Sequence, residues 1–202
     1  MRGLFVTGTD TCVGKTVLSA ALMLRYPQAI YWKPIQTGSD DDTAEVLRLS
    51  GGQVFDEGVR HPDPVSPHHS RIPIDLNALV GSVSKTPLIS PFIVEGAGGA
   101  LVPVNPSENM ADLMGLLGFP VLVATRTTLG TINHTLLTLE ALRARSLQIA
   151  GVVMIGERNP DNRAAIERFG RVEVVAEMPR FDVLTREHLR TWAETLPGDL
   201  IA

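Results

Sequence analysis

The sequence has little cysteine, few aromatic residues and no excess of basic charge. Its single cysteine, Cys12, excludes an intramolecular disulfide, so nothing in the sequence favours an oxidising compartment. Aromatic residues make up only 5% of the 202 residues, so the core must be built mainly from aliphatic side chains. Because 18 Lys and Arg face 22 Asp and Glu, the net charge of −4 argues against a nucleic-acid partner, which needs a basic surface.

Long apolar runs are also missing. No segment approaches the roughly 20 apolar residues of a membrane-spanning helix, so we expect no membrane partner. The first apolar run, residues 4–6, is far shorter than the hydrophobic stretch of a signal peptide, and we expect a cytoplasmic protein. Hydrophobic residues nevertheless form 44% of the chain, which predicts a globular protein with one domain over residues 1–202.

Short apolar runs alternate with longer segments of helical periodicity along the whole chain. The runs predict strands at residues 4–7, 30–34, 91–95, 121–125, 150–155 and 172–176. The segments between them predict helices at residues 15–25, 43–49, 76–83, 110–117, 131–145, 164–169 and 185–196. Continuously apolar strands are typical of a parallel sheet that is covered on both faces. The sequence therefore predicts a single-domain, three-layer α/β fold with a mainly parallel central sheet flanked by helices.

One segment does not fit this alternation. Residues 51–73 are rich in proline and have no convincing period. A loop of this length inside a compact domain is usually functional, so we predict that it borders the site.

The stretch between the first predicted strand and helix has the composition of a phosphate-binding loop. Its glycines let the backbone turn, and the helix N-terminus behind it presents N–H groups and a positive dipole end. Lys15 can reach the outer phosphates of a nucleotide, and the Thr16 hydroxyl can hold Mg²⁺. Five residues rather than four separate the two glycines, one more than in the common pattern. The predicted nucleotide-binding residues here are Gly8, Thr9, Asp10, Thr11, Cys12, Val13, Gly14, Lys15, Thr16 and Val17.

Two further predicted strands end in charged residues. Glu95 ends the strand at 91–95 and is followed by a glycine-rich stretch, so its carboxylate can hold Mg²⁺ while the backbone lets a substrate approach closely. Lys33 lies at the end of the strand at 30–34, and three aspartates follow at residues 40–42. A lysine and carboxylates beside a phosphate loop favour phosphoryl transfer. An aspartate before a helix is also a favoured N-cap, so these residues alone do not say which aspartate binds metal.

Four blocks together resemble the dethiobiotin synthetase family. They are residues 6–16, Lys33-Pro34 with Thr37-Gly38, residues 94–99 and residues 129–134, and they occur in the family's order. The longer phosphate loop is itself characteristic of that family. The resemblance implies a P-loop NTPase fold and a homodimer. It also implies conversion of 7,8-diaminononanoate, CO₂ and MgATP into dethiobiotin, a cyclic urea, by way of a carbamate and its mixed anhydride with phosphate.

The resemblance also implies roles for residues, carried over position by position. Lys15, Lys33 and Thr11 would be catalytic, and Thr16, Asp42 and Glu95 would bind Mg²⁺, with Glu95 also facing the nucleotide. Asp42 is preferred to Asp41 because it directly precedes the predicted helix. The substrate would contact Lys33, Thr37, Gly96, Ala97 and Gly98, and the neighbouring subunit would hold its carboxylate through Leu129, Gly130 and Asn133. Residues 66–68 resemble a family segment near the diamine.

Two positions depart from some relatives. Cys12 stands where they have a glutamate, and residues 154–156 stand where they have an asparagine that recognises adenine, so the nucleotide base stays open. Two alternatives share this type of loop. A corrinoid amide synthetase would need a glutaminase domain built around a cysteine nucleophile, and a ParA/MinD-like switch ATPase usually has a lysine early in the loop, whereas Lys15 is the first lysine here.

Overall fold

The apolar runs lie side by side in the computed structural model, which describes residues 2–56, 58–69, 72–84 and 90–201. Among these residues, seven strands form one parallel sheet in the order β4-β2-β6-β1-β7-β8-β9. Two further strands, β3 and β5, pair in a small parallel sheet of their own. The strands are β1 Gly3–Gly8, β2 Ile30–Trp32, β3 Ile35–Thr37, β4 Gln53–Phe55, β5 Val59–His61, β6 Phe92–Gly99, β7 Val121–Arg126, β8 Ile149–Ile155 and β9 Val174–Met178.

Helices cover both faces of the large sheet. They are α1 Lys15–Arg25, α2 Asp42–Ser50, α3 Leu76–Ser84, α4 Met110–Leu117, α5 Thr131–Arg143, α6 Pro160–Gly170 and α7 Arg186–Ala193. Apolar side chains of α1, α2 and α7 share one core with Leu4 and Val6 of β1, whereas those of α3 to α6 share another core with Phe5. Successive residues of β1 thus supply opposite faces, as the pleat of a strand requires. The predicted three-layer α/β fold is confirmed.

The prediction of a loop at residues 51–73 is wrong over part of its length. The segment contains β4, β5 and a short 3-10 turn at Pro67–His69, while its residues 57, 70 and 71 lie outside the described part of the chain. The predicted strand 30–34 ends at Trp32, and β3 follows it. Strands of three residues are too short for an alternating pattern to be visible, so only pairing with their partners reveals them.

Element ends also differ from the prediction. Helix α6 begins at Pro160 rather than residue 164, because the Asn159 side chain caps it by accepting the N–H of Asn162 at 3.0 Å and proline suits the first helical position. Strand β9 begins at Val174 rather than residue 172, and α5 ends at Arg143 rather than residue 145. No helix in the described ranges is both long and apolar enough to cross a membrane.

The strand order brings the chemically interesting segments together. Strands β2, β6 and β1 are neighbours, with Trp32 paired to Val94 and Val6 paired to Glu95. All three strands are parallel, so the phosphate loop after β1 and Lys33 after β2 lie at one edge of the sheet. Glu95 does not end its strand as predicted: it lies in the middle of β6, which continues to Gly99. Ligands of open parallel sheets bind beyond this carboxyl edge.

Candidate active site

The loop between β1 and α1 turns through two left-handed residues. Gly14 has φ 96° and Cys12 has φ 55°. The φ angle of Gly14 favours glycine, and a Cβ there would also lie 3.0 Å from Cδ1 of Ile155, so that side chain would have to shift. Glycine has no side chain to cap α1, which leaves the N–H groups of the first helical turn for a ligand.

The side chain of Lys15 folds back over this loop. Its Nζ donates to the carbonyl oxygen of Asp10 at 3.0 Å. Arg126, at the end of β7, holds the same part of the loop by donating to Asp10 Oδ2 at 3.1 Å and to the carbonyl oxygen of Thr11 at 2.9 Å. The loop is thereby connected to a strand on the far side of β1 from Lys33.

Four polar side chains form the centre of the site. Thr16 lies in α1, Asp42 in α2 and Glu95 in β6, and Lys33 directly follows β2. The Lys33 ammonium lies 2.6 Å from Asp42 Oδ2 and 2.8 Å from Glu95 Oε1. The Thr16 hydroxyl lies 2.9 Å from Asp42 Oδ1 and 3.1 Å from Glu95 Oε1. Since a hydroxyl has one proton, it can donate to only one of these carboxylates at a time. Whichever carboxylate oxygen does not receive this proton still lies close to the Thr16 oxygen, and a cation could bridge those two oxygen atoms.

The second oxygen of Glu95 has a different partner. The Tyr31 hydroxyl donates to Glu95 Oε2 at 3.0 Å, and both side chains are buried. Burial and the adjacent Glu95 carboxylate raise the pKa of Tyr31 well above its ordinary value, so the phenol keeps its proton and acts as a donor.

Burial and neighbouring charges shift the pKa values of Lys15, Lys33 and Asp42. Burial lowers the pKa of Lys15, and the nearby Lys33 ammonium lowers it further. Burial also lowers the pKa of Lys33, but the carboxylates of Glu95 and Asp42 outweigh it and raise that pKa above its ordinary value. Burial raises the pKa of Asp42, but Lys33 outweighs it and the pKa is lowered overall. Lys33 and Asp42 are therefore charged together at neutral pH.

These groups open into a cavity of about 740 Å³. Its walls include twelve of the residues predicted from the sequence, which are Thr11, Cys12, Gly14, Lys15, Thr16, Val17, Lys33, Thr37, Asp42, Glu95, Ala97 and Gly98. The 3-10 turn and the chain before it complete the wall through residues 64–67, which accords with the prediction that segment 51–73 borders the site. A volume of this size is typical of small-molecule sites.

The adjacent aspartates have different contacts. The Asp41 side chain is the N-cap of α2, since its Oδ1 accepts the N–H of Ala44 at 2.9 Å. Asp42 is the first residue of α2, and its carboxylate faces Thr16 and Lys33. The sequence left open whether Asp41 or Asp42 binds metal. In the structure Asp41 caps α2, whereas Asp42 faces Thr16 and Lys33.

Other predicted residues do not line the cavity. Gly8, Thr9, Asp10 and Val13 form the back of the phosphate loop, and Gly96 accepts a hydrogen bond from Lys33 through its carbonyl oxygen at 3.3 Å. Leu129, Gly130 and Asn133 lie around the start of α5 and are exposed, with the Leu129 side chain entirely in solvent.

Tyr31 and Val102 are among the contributors to this site that sequence reasoning missed. Tyr31 precedes Lys33 by two residues, so the pleat places both on the same face of the sheet, and that spacing was the available signal. Val102 lies in the wall of the cavity after the glycine-rich end of β6. No pattern in the sequence connects Val102 with the phosphate loop.

Comparison with known proteins covers nearly the whole chain. A family profile described as an AAA domain matches residues 2–188. The ATP-dependent dethiobiotin synthetase BioD of Paramagnetospirillum magneticum is 48% identical, over 98% of this chain and 100% of the relative. The protein of the same name from Nitrobacter hamburgensis is 45% identical, over 92% of this chain and 89% of its own. A ParA family ATPase from Chlorobium tepidum has a TM-score of 0.62 at 9% identity, covering 96% of this chain and 98% of its own, which is a likeness of fold alone.

Proposed function

Because the chain belongs to the family of ATP-dependent dethiobiotin synthetases, we propose that it closes the cyclic urea of dethiobiotin from 7,8-diaminononanoate, CO₂ and ATP at the cavity between β1, β2 and β6. One observation supports this assignment: two buried lysines, Lys15 and Lys33, and two carboxylates, Asp42 and Glu95, line one cavity beside the phosphate loop. Cations there can neutralise both the phosphates of ATP and a carbamate.

The nucleotide has a preformed cradle in the phosphate loop. We propose that residues 8–17 hold its phosphates, with the amides at the start of α1 as donors. Lys15 donates to the loop backbone at the carbonyl oxygen of Asp10, and burial lowers its pKa. A phosphate that replaced this carbonyl oxygen as its partner would stabilise the charged ammonium.

The chemistry of the donor set fits Mg²⁺. Thr16, Asp42 and Glu95 bring a hydroxyl and two carboxylates together, and Mg²⁺ typically takes one or two carboxylates and completes its shell with phosphate and water oxygens. No group of three or more His, Cys, Asp and Glu side chains that could hold a metal is found within the described ranges, so a cage supplied by the protein alone is not proposed. Mg²⁺ would supply charge neutralisation at the β- and γ-phosphates.

The reaction needs little covalent help from the protein. One amine of the substrate adds to CO₂ and loses a proton to give a carbamate, and the carbamate oxygen attacks the γ-phosphorus of ATP with release of ADP. The second amine then attacks the carbon of this mixed anhydride, closing the ring and releasing phosphate. Lys33 and Lys15 hold the carbamate and the γ-phosphate against each other, while Thr11 and Thr37 hydrogen-bond their oxygens.

We also propose that the active unit is a homodimer. Leu129, Gly130 and Asn133 are exposed and lie outside the cavity wall of their own subunit. A twofold arrangement lets this segment reach the cavity of the partner and hold the carboxylate of the substrate. The exposed, unpaired thiol of Cys12 accords with a reducing compartment such as the cytoplasm.

A product assay tests the function. Purified protein is mixed with 7,8-diaminononanoate, bicarbonate and Mg²⁺, the nucleoside triphosphate is varied, and both phosphate release and the cyclic urea are followed. We expect phosphate and urea in equal amounts and only in the presence of the diamine. Phosphate release without the diamine would instead favour a switch ATPase, the class that shares only the fold. Varying the base also shows which nucleotides the enzyme accepts.

A further inference from the structure

Glu95 has two oxygens with different surroundings. Oε1 faces the Thr16 hydroxyl at 3.1 Å and the Lys33 ammonium at 2.8 Å, which is the side of the proposed metal position. Oε2 faces away from that position and accepts from the Tyr31 hydroxyl at 3.0 Å. The carboxylate is 1% exposed and the tyrosine 0%, so water does not compete for this hydrogen bond.

The sheet explains why Tyr31 can reach this oxygen. Tyr31 of β2 is paired with Ile93 of β6, and Glu95 lies two residues further along β6 on the same face. The tyrosine ring packs in the core beneath α1, together with Ile93 and Leu18. A ring held in this way places its hydroxyl at one point in space and cannot follow the carboxylate if it turns.

We propose that Tyr31 is a positioning residue for the metal, because its hydroxyl holds Glu95 Oε2 and thereby presents Oε1 to the cation. The inference deepens the proposed function, since it depends on a metal at Thr16, Asp42 and Glu95. Residues that orient a ligand by hydrogen-bonding its second atom typically change metal affinity or activity by about 10- to 100-fold when altered. Tyr31 itself touches neither metal nor substrate.

A purely structural role makes a different prediction. If the hydroxyl only satisfies a buried carboxylate, its removal lowers the free energy of unfolding but leaves the metal dependence unchanged. If it positions Glu95, the Mg²⁺ concentration for half-maximal rate rises while the KM for the diamine changes little. The metal dependence therefore separates the two roles.

The chain offers a matched control, because it contains two tyrosines. The Tyr26 hydroxyl donates to the carbonyl oxygen of Pro197 at 2.8 Å and accepts from the N–H of Leu200 at 3.2 Å, so it acts at the C-terminal end of the chain. Tyr31→Phe and Tyr26→Phe each remove one hydroxyl from a hydrogen-bonded tyrosine. Only the first removes it from Glu95.

Binding of Mn²⁺, followed by electron paramagnetic resonance with a non-hydrolysable ATP analogue present, measures the effect without turnover. We expect at least about tenfold weaker Mn²⁺ binding and a matching shift of the Mg²⁺ activation curve in Tyr31→Phe. We expect both to be unchanged in Tyr26→Phe. Unchanged Mn²⁺ binding in a folded Tyr31→Phe protein would overturn the proposal, while a wild-type protein that forms no urea would overturn the proposed function instead.

A second measurement keeps the proposal testable if Tyr31→Phe does not fold. In Tyr26→Phe the only remaining tyrosine is Tyr31, so its hydrogen bonding can be followed by ultraviolet resonance Raman spectroscopy. We expect metal and nucleotide together to shift the tyrosine bands, because a cation at Oε1 weakens Oε2 as an acceptor. Bands that stay unchanged at saturating metal would contradict the coupling.

Discussion

At the scale of single residues, Lys33 occupies an unusual position. Its ammonium lies within 2.8 Å of both Asp42 and Glu95, the two carboxylates assigned to the metal. Removing one partner of a buried ion pair leaves the other charge uncompensated. The protein therefore carries its own counter-ion between the two proposed metal ligands, and a divalent cation that bound there would have to compete with it.

Replacement of Lys33 should consequently separate metal binding from catalysis. We expect Lys33→Met to lose turnover yet to bind Mn²⁺ about tenfold more tightly in the absence of nucleotide, a gain of about 1.4 kcal/mol. Titration with Mn²⁺ measures this directly. Lys15→Met is the matched control, because Lys15 donates to the carbonyl oxygen of Asp10 rather than to either carboxylate, and it should tighten binding far less. Equal or weaker Mn²⁺ binding by Lys33→Met would show that the lysine does not screen the site.

Substitutions of the two adjacent aspartates should affect different properties. We expect Asp42→Asn to raise the Mg²⁺ concentration for half-maximal rate by at least about tenfold, since it removes charge from the proposed metal site. Asp41→Ala should leave that curve unchanged but cost about 1 kcal/mol in urea unfolding, because α2 loses its N-cap. Asp41→Asn, which can still cap, should restore most of the stability. A shift of the Mg²⁺ curve in Asp41→Ala instead would reassign the ligand.

At the scale of elements, buried hydroxyls join the phosphate loop to α5. The Thr125 hydroxyl of β7 lies 2.8 Å from the hydroxyls of both Thr131 and Thr135, and 3.4 Å from that of Thr9, which directly follows β1. Thr125 and Thr135 are fully buried. The segment proposed to serve the partner subunit is thus attached to the same strand whose Arg126 holds the phosphate loop. Buried hydrogen bonds of this kind are costly to leave incomplete.

Thr125→Val keeps the shape of the side chain and removes the shared hydroxyl. We expect a loss of about 1–3 kcal/mol in the free energy of unfolding, because Thr131 and Thr135 lose a buried partner. Thr138→Val is the control, since the Thr138 hydroxyl donates only within α5, to the carbonyl oxygen of His134. Chemical denaturation compares the two. A similar loss in both variants would show that the network adds nothing to a local helix contact.

At the scale of the whole molecule, the proposed shared site can be tested by mixing subunits. Lys15→Ala should lower turnover by about 10²-fold or more, by analogy with removal of one preorganised donor, and Asn133→Ala should weaken substrate binding. In a hybrid dimer of the two variants, one of the two cavities combines an intact phosphate loop with an intact Asn133. Random exchange should therefore restore about a quarter of wild-type activity.

A second mixture controls for this result. Lys15 and Lys33 lie in the same cavity of one subunit, so every hybrid of Lys15→Ala with Lys33→Ala carries a defect in both cavities. We expect no recovery from that pair. If the first mixture also fails to recover after subunit exchange has been verified by mass spectrometry, the site is not shared.

The predicted part of the molecule is the part encoded by local patterns. Apolar runs and helical periods marked the main strands and helices because burial on both faces of a parallel sheet requires continuously apolar strands. The phosphate loop was recognisable because its glycines, Lys15 and Thr16 act through spacing along one segment. Strands β3, β4 and β5 were missed because three residues carry too little pattern, and their pairing partners are distant in the sequence.

Local sequence patterns thus determined the predicted fold class and identified the phosphate loop, because backbone turns and helix starts depend on residues that are neighbours in the sequence. Only the tertiary structure decided which aspartate faces Thr16, that Lys33 lies between two carboxylates, and that the Tyr31 hydroxyl donates to Oε2 of Glu95. Those contacts join residues up to 64 positions apart in the sequence. They exist only because the sheet places β2, β6 and β1 side by side, an order that no local pattern contains.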